Sequence, residues 1–235
     1  MKYDVAIIGS QGIPAKYSGF ETLCQHLCEG LNDHLKIIIY CSSKNINKKE
    51  EINLSNIKRL FIPLSANGIQ SILYDYISII HGFFNAKKLL ILGVSGCSIL
   101  PLINILPFRK NIIVHLDWIE WQRDKWSPLA SFVLRISEFL AVKFSTSLIT
   151  DNQGIRDYIK KTYGEKYIKK TKKLFYGGDF SKKSSIELPI ITKALTKEKF
   201  TIKNNDYYLI ICRAEPENNI EIILLCPVLE NKKSG

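Results

Sequence analysis

Short apolar segments of strand length alternate with helical segments from the start of the chain to about residue 175. The first pair is residues 4–8, which are apolar after Asp4, and residues 19–31, where Phe20, Leu23 and Leu27 recur at helical spacing. Successive parallel strands need a crossover connection, which is usually a helix. The sequence therefore predicts an α/β fold with a Rossmann-like parallel sheet covered by helices on both faces.

The later segments continue this alternation. The further predicted strands are residues 36–40, 56–63, 89–92, 112–116, 147–150 and 173–175, and the further predicted helices are residues 69–84, 128–144 and 154–163. Open parallel sheets bind ligands beyond the carboxyl ends of their strands. We therefore expect function in the loops that begin at Gly9, Gly93, Asp117 and Asp151.

The loop after the first strand, residues 9–22, reads GSQGIPAKYSGFET. Glycine permits positive φ and a close approach of the backbone, and amides at the start of the next helix can hold an anion. The spacing of Gly9, Gly12 and Gly19 matches neither the dinucleotide fingerprint nor a P-loop. Two interpretations stay open, a phosphate contact or a long structural turn.

A second cluster, HLDWIEWQRDKW at residues 115–126, holds all three tryptophans of the chain. Aromatic faces beside Asp117 and Glu120 suit a sugar ring, and a carboxylate can orient or deprotonate an acceptor hydroxyl. The alternative is a tryptophan-rich packing motif with its charges in water. His115 suits either a structural or a catalytic position.

The character of the sequence changes after Gly178. A polar, lysine-rich stretch extends to Asn205, and residues 207–212 form a new predicted strand that leads into CRAEPENN and a helix. We predict an N-terminal domain over residues 1–178, a basic linker over 179–205 and the truncated start of a second Rossmann-like domain over 206–235. One strand and part of a helix are too little to bury a core.

Three sequence motifs, which follow one another along the chain, lie in these regions. Residues 9–22 resemble G-[ST]-R-G-[IL]-P-A-x-Y-G-G-F-E-T, residues 117–126 resemble D-G-x-E-W-x-R-x-K-W, and residues 213–219 fit R-x-E-P-E-N-N. The pair Tyr74-Asp75 also fits, as do DNQGI at 151–155 and YGG at 176–178. On these residues the chain resembles bacterial glycosyltransferase family 4, in the rhamnosyltransferase-like branch that builds capsule and cell-wall polysaccharides.

The resemblance implies a GT-B fold, in which two Rossmann-like domains flank a cleft. The implied enzyme is a retaining nucleotide-sugar glycosyltransferase. It transfers a rhamnose-like sugar from dTDP-rhamnose or another nucleotide sugar to a saccharide or lipid-linked saccharide acceptor, and it needs no cofactor and no metal.

The resemblance also implies a role for individual residues. Asp117 and Glu120 are the implied catalytic residues. The implied donor-binding residues are Gly9, Gly12, Gly19, Arg213, Glu215, Glu217 and Asn218. The implied acceptor-binding residues are Tyr17, Phe20, Glu21, Trp118, Trp121, Arg123 and Asp151.

The chain departs from the family pattern at three positions. Gln11 replaces the usual arginine, Ser18 replaces the first of two glycines, and Trp118 stands where a glycine is usual. Because the chain also ends soon after the third motif, we expect it not to transfer sugar as it stands. The alternative function is a non-catalytic, membrane-associated or nucleotide-binding module of the same fold.

The formal net charge is +11, and residues 156–203 alone contain fourteen Lys and Arg against five Asp and Glu. Such a surface favours phosphates, nucleic acid or an anionic membrane, or is only a solvated lysine-rich face. No motif that reads nucleic acid is present, so we predict no nucleic-acid partner.

Residues 89–108 carry no charge and are long enough to span a bilayer. Their glycines and prolines instead predict a buried strand, a turn and a short apolar helix from about Ser98, which can rest on a membrane surface. The six cysteines include no C-x-x-C pair, and Cys24 with Cys28 suits two buried small residues better than a metal site. With no signal segment before the first strand, we expect a cytoplasmic protein, peripheral on the inner face of the plasma membrane.

Overall fold

The computed structural model describes residues 2–16, 19–116, 119–123, 126–175, 177 and 219–224. The chain divides into two compact units, Met1–Tyr176 and Gly177–Gly235. The second unit contributes one described helix, Ile220–Leu224. The predicted strand at residues 207–212 and the predicted linker lie outside the described residues, so the predicted domain boundaries stay predictions.

The first unit is built on one sheet of seven strands, all parallel, in the order β3-β2-β1-β4-β5-β6-β7. The strands are β1 Tyr3–Ile8, β2 Ile37–Ser42, β3 Ile57–Ile62, β4 Ala86–Leu92, β5 Asn111–Leu116, β6 Ser147–Thr150 and β7 Thr171–Lys173. The order of the strands reverses between β1 and β4. That position is the topological switch point, where such sheets open a crevice for ligands.

Helices cover both faces of this sheet. In the first unit the helices are α1 Gly19–Leu31, α2 Gln70–Asn85, α3 Leu100–Ile105, α4 Pro128–Phe144 and α5 Gln153–Tyr163, with 3₁₀ turns at Cys97–Ile99, Glu120–Gln122 and Glu165–Lys170. The described helix of the second unit, Ile220–Leu224, is named α6. Buried side chains of α2, α3, α4 and α5 share one core cluster, and α1 contributes Cys24 and Cys28 to the other. The helices α2 to α5 therefore lie on one face and α1 on the opposite face, as right-handed crossovers require.

The predicted α/β fold and the alternation of its elements are confirmed. The uncharged segment 89–108 forms most of β4, a 3₁₀ turn and α3, as its glycines and prolines predicted. Among the described residues, no helix is both long and apolar enough to cross a bilayer. The last strand is displaced, because β7 is Thr171–Lys173 and not residues 173–175; Thr171 is the residue that pairs with Leu148 of β6.

Candidate functional site

The loop after β1 owes its glycines to close packing against neighbouring strands. Gly9 has φ +93°, and a Cβ there would lie 2.0 Å from the carbonyl oxygen of Leu92 at the end of β4. Gly12 has φ +111°, and its Cβ would lie 2.4 Å from the Sγ of Cys41 in β2. Both positions exclude a side chain for structural reasons alone. These contacts support the structural-turn interpretation of the loop but leave a phosphate contact open.

Two side chains of α1 hold the loop by its backbone amides. The amide of Gln11 donates to Oε1 of Glu21 at 2.9 Å, and the amide of Ala15 donates to Oε1 of Gln25 at 2.8 Å. Glu21 is only 3% exposed. Its carboxylate therefore holds the loop from inside the protein, and the implied contact of Glu21 with an acceptor stays a prediction. Neither of these amides is available to an anionic ligand.

The loop is also held from the opposite face and from β3. The hydroxyl of Tyr74 on α2, which is fully buried, donates to the carbonyl of Ser10 at 3.0 Å. Nη1 of Arg59 on β3 donates to the carbonyl of Ile13 at 3.3 Å. The backbone path of residues 9–15 is therefore fixed by groups from three elements, so the loop is preorganised.

Asp75, which follows Tyr74 on α2, anchors the loop after β4, on the other side of the switch point. Ser95, in the loop after β4, donates its hydroxyl to Oδ2 of Asp75. A Cβ on Gly96 would lie 2.5 Å from the Cβ of Asp75, so this glycine is required for the close approach. Burial raises the pKa of Asp75 to about 7, and the hydrogen bond from Ser95 opposes that rise. Tyr74 and Asp75 together thus brace the loops that follow β1 and β4.

This arrangement predicts a pH-dependent contribution from Asp75 to stability. Because burial raises the pKa of its carboxyl from 3.8 to about 7, the folded state binds more protons than the unfolded state between these values. Stability is therefore lost as the pH rises through that window. Asp75→Asn should gain stability relative to the parent between pH 5 and pH 8, by about 3 kcal/mol at most.

Thermal unfolding at pH 5 and pH 8 checks this prediction. The matched control is Asp157→Asn, which makes the same substitution at an exposed aspartate on α5. A pH-independent difference for Asp75→Asn would contradict the expectation.

The end of β5 lies next to the start of α1 and the end of β6. The ring of Phe20 meets the buried ring of His115 edge-on, with centroids 5.5 Å apart. Burial lowers the pKa of His115, and the charge of Asp151 opposes that change. The structure therefore brings Phe20 and Asp151 together around His115 at the carboxyl edge of the sheet. The implied acceptor contacts of both residues stay predictions.

Glu120 lies in the 3₁₀ turn beyond β5 and is held by two donors. Its Oε1 accepts from Nε1 of Trp126 at 3.0 Å, and its Oε2 pairs with Nη1 of Arg123 at 3.3 Å. The side chain of Glu120 is 26% exposed, so solvent and a ligand can reach it. Its neighbours therefore orient the carboxylate, and a carboxylate oxygen is an acceptor for a hydroxyl group.

Trp121 packs within the protein. Its carbonyl accepts from the hydroxyl of Ser131 at 2.7 Å, its Nε1 donates to the hydroxyl of Tyr158 at 3.4 Å, and the guanidinium of Arg135 lies 5.1 Å from its ring centroid. Together with the bond from Trp126 to Glu120, these contacts support the packing interpretation for two of the three tryptophans.

Glu138 is a supporting residue that the sequence reasoning missed. It is 1% exposed and accepts hydrogen bonds from the hydroxyls of Tyr158, at 2.7 Å, and Tyr163. Burial raises the pKa of its carboxyl, and the two hydroxyls oppose that rise. Tyr158 is also the partner of Trp121, so Glu138 fixes the base of the tryptophan cluster. A single acidic residue in the apolar helix α4 is the signal that could have revealed it.

A shallow basic depression adjoins the β1 loop at the end of β2. It has a volume of about 630 Å³. Its lining includes four lysines, Lys16, Lys44, Lys48 and Lys49, together with Ser43, Asn45, Ile46 and Asn47. Lys16 is paired with Glu50. The remaining positive charge favours anions, although these lysines are surface side chains.

Seven of the implied site residues lie outside the described ranges. They are Tyr17, Asp117, Trp118, Arg213, Glu215, Glu217 and Asn218. Gly19 is described and begins α1. Within the described ranges, no cluster of His, Cys, Asp and Glu side chains is placed to hold a metal ion.

Comparison with known proteins gives a family and a fold. A family model described as a domain of unknown function, DUF1972, matches residues 2–179. The chain belongs to the DUF1972 family. The DUF1972 domain thus covers the β1 loop, the tryptophan cluster and the whole sheet.

The DUF1972 domain shares its fold with sucrose-phosphate synthase from Thermosynechococcus elongatus, a GT-B glycosyltransferase. The TM-score is 0.56 at 11% sequence identity, over 75% of this chain and 48% of the synthase. The chain therefore spans about half the length of that protein. A search of curated proteins gave no match. The predicted Rossmann-like sheet of a GT-B fold is confirmed, and at this identity the likeness concerns the fold alone.

Proposed function

We propose that the DUF1972 domain is the acceptor-side domain of a GT-B glycosyltransferase. The observation that supports the proposal is that residues from three sequence motifs lie at the same edge of a GT-B-like sheet. The β1 loop, the Glu120 turn beyond β5 and Asp151 after β6 all follow carboxyl ends of parallel strands. In such sheets this edge is where ligands bind.

The specific reaction rests on the resemblance of the motifs to glycosyltransferase family 4. In this proposal the enzyme transfers a rhamnose-like sugar, with retention, from dTDP-rhamnose or another nucleotide sugar. The acceptor is a saccharide or lipid-linked saccharide of capsule or cell-wall synthesis, which places the enzyme at the inner face of the membrane. No metal and no cofactor take part.

In this proposal the residues at the carboxyl edge of the sheet have different roles. Glu120 accepts a hydrogen bond from the acceptor hydroxyl and orients or deprotonates it, and Asp117 is the second candidate for that role. Gly9, Gly12 and Gly19 keep the β1 loop close to the donor. Because Glu21 and Gln25 already bind two amides of this loop, donor phosphates depend on other groups. In this proposal Arg213 meets the donor diphosphate, and Glu215, Glu217 and Asn218 lie close to the donor.

A second candidate is a binding module without catalysis. The observation in its favour is that Glu21, Trp121 and Trp126 all make hydrogen bonds inside the protein. A module of this kind binds a saccharide or nucleotide at the same edge and transfers nothing.

Fluorescence and transfer assays separate the two candidates. All three tryptophans lie between residues 118 and 126, so intrinsic fluorescence reports on this site. Capsule-type oligosaccharides should change the emission of the chain in a saturable way. The complete gene product should then form saccharide product from a nucleotide sugar and a lipid-linked acceptor. Saturable binding without transfer favours the module, and the absence of both responses would contradict the proposal.

A further inference from the structure

The outer side of α2 is apolar although it faces solvent. Five exposed hydrophobic side chains recur at intervals of three or four residues, which places them on one face of the helix. They are Ile69, which directly precedes the helix, and Leu73, Ile77, Ile80 and Phe84. The buried residues of α2 lie on the opposite side, toward the sheet. The exposed row therefore points away from the core that α2 covers.

The helices α3 and α4 have the same character. Four exposed apolar side chains belong to α3 and the turn after it, and four follow one face of α4. They are Leu102, Ile105, Leu106 and Phe108 in the first group, and Leu129, Phe132, Ile136 and Phe139 in the second. Of the seventeen large hydrophobic side chains that are exposed among the described residues, thirteen thus belong to α2, α3 and α4.

These three helices form one continuous surface, which we name the helical face. All three cover the same core cluster and so lie on the same side of the sheet. The hydroxyls of Tyr76 on α2 and Ser98 before α3 are hydrogen bonded, and Nδ2 of Asn104 on α3 donates to the carbonyl of Phe144 on α4 at 3.3 Å. Exposed apolar patches larger than those of typical monomers mark sites of interaction.

The exposed charges carried by the segments that form the helical face have a single sign. Residues 63–116 and 128–146 are all described, and their only acidic residues, Asp75 and Glu138, are both buried. None of their six Lys and Arg residues is buried; they are Lys87, Lys88, Arg109, Lys110, Arg135 and Lys143. Lys87 is paired with Asp4. The ammonium of Lys143 lies 5.6 Å from the ring centroid of Phe139, so a basic head borders an apolar side chain.

We infer that the helical face docks on an anionic membrane surface. An apolar stripe with exposed Phe and Leu side chains and a basic border is what an interfacial helix presents to lipid. A second copy of the chain would bring like charges together at the border, which opposes self-association. Nucleic acid would leave thirteen apolar side chains without a partner. The inference rests on the proposed function only for its choice of an inner-leaflet membrane.

Vesicle binding tests the inference with the whole chain. Vesicles of phosphatidylcholine with 30% phosphatidylglycerol (a composition chosen for the assay) should sediment the chain at low salt, and binding should weaken as salt screens the charges. Vesicles of pure phosphatidylcholine should bind it far less. Equal binding to both vesicles, or no binding to either, overturns the inference.

Variants locate the contact on the chain. The triple variant Phe84→Ser, Phe108→Ser, Phe132→Ser should lose at least about tenfold in vesicle affinity, because the three phenyl rings no longer enter the interface. The matched control is Leu174→Ser with Phe175→Ser, which removes exposed apolar side chains outside the three helices. Arg109→Gln and Lys143→Gln should each lose about fivefold, against no change for the exposed Lys58→Gln on β3.

Two further readouts make the outcomes distinct. If the light-scattering mass shows a dimer that the triple phenylalanine variant abolishes, and vesicles do not bind, a second copy covers the face and the inference is wrong. Vesicle binding is measured without sugars, and saccharide binding is measured without lipid. Failure of the membrane contact therefore leaves the proposed glycosyltransferase standing, and the reverse is also true.

Discussion

Gly9→Ala is expected to destabilise the first unit by roughly 3 kcal/mol or more. The new methyl group would lie 2.0 Å from the carbonyl oxygen of Leu92, so either the β1 loop or the end of β4 must move. The alanine would also have to keep the left-handed backbone φ of +93°, which residues with a side chain rarely adopt. Both costs act at the topological switch point, where β1 and β4 pair side by side.

Gly93→Ala is the matched control for this substitution. Gly93 also has a positive φ, of +83°, but no heavy atom lies within 4 Å of the position that its Cβ would take. This variant carries the backbone cost alone, about 1–2 kcal/mol. Urea unfolding of both variants separates the two contributions. Equal losses of stability would show that the contact with Leu92 is not what requires glycine.

The fluorescence response to a saccharide should also be affected more by Gly9→Ala than by Gly93→Ala. Gly9→Ala shifts the loop that Glu21, Gln25 and Tyr74 hold in place, and preorganised binding groups lose value when their support moves. The fluorescence response to an oligosaccharide should therefore weaken more in Gly9→Ala than in Gly93→Ala.

The helices with clear local signals were predictable from the sequence to the residue. The helix α4 begins at Pro128, where proline suits the first turn, and the hydroxyl of Ser127 accepts from the amide of Ala130. The helix α1 likewise occupies residues 19–31 as predicted. Strand ends were less accurate, because pairing decides them: β2 continues to Ser42 alongside Ile62 of β3.

The supporting side chains of the site were not predictable, because their partners are distant in the sequence. Tyr74 and Ser10 are hydrogen bonded across 64 positions, and Asp75 and Ser95 across 20. The hydrogen bond from the amide of Gln11 to the buried carboxylate of Glu21 likewise spans ten positions. Local patterns indicate elements, but only the assembled sheet decides which polar groups meet.

The tryptophan cluster shows the same limit within one motif. Its composition left a sugar site and a packing motif open, and the contacts of Trp121 and Trp126 support packing for these two residues. Trp126 binds Glu120, and Trp121 rests on Tyr158, which Glu138 fixes from below. In the proposed mechanism, these residues therefore position Glu120 and the 3₁₀ turn that carries it, while Glu120 itself meets the substrate.

Glu120→Gln should lower the turnover of the complete enzyme by about 10²–10⁴-fold, the usual contribution of a general base. The amide has the size of the carboxylate but cannot take a proton. Its NH₂ group also faces one of the two donors, Arg123 or Trp126, so one hydrogen bond is lost. Since the side chain is partly exposed, the stability of the fold should change little.

Trp126→Phe serves as the comparison that separates charge from orientation. It removes the Nε1 donor at 3.0 Å but keeps the carboxylate of Glu120. If Glu120 is the reacting group and Trp126 positions it, turnover in Trp126→Phe should lie between those of the parent and Glu120→Gln. The value of kcat should fall more than KM rises in both variants, because the interaction is made in the transition state. The comparison of the two variants has two outcomes that contradict the proposed role. Unchanged turnover in Glu120→Gln would remove this residue from the mechanism and leave Asp117 as the carboxylate to test. Equal loss of turnover in Glu120→Gln and Trp126→Phe would mean that the position of the turn, and not the charge of Glu120, limits the reaction.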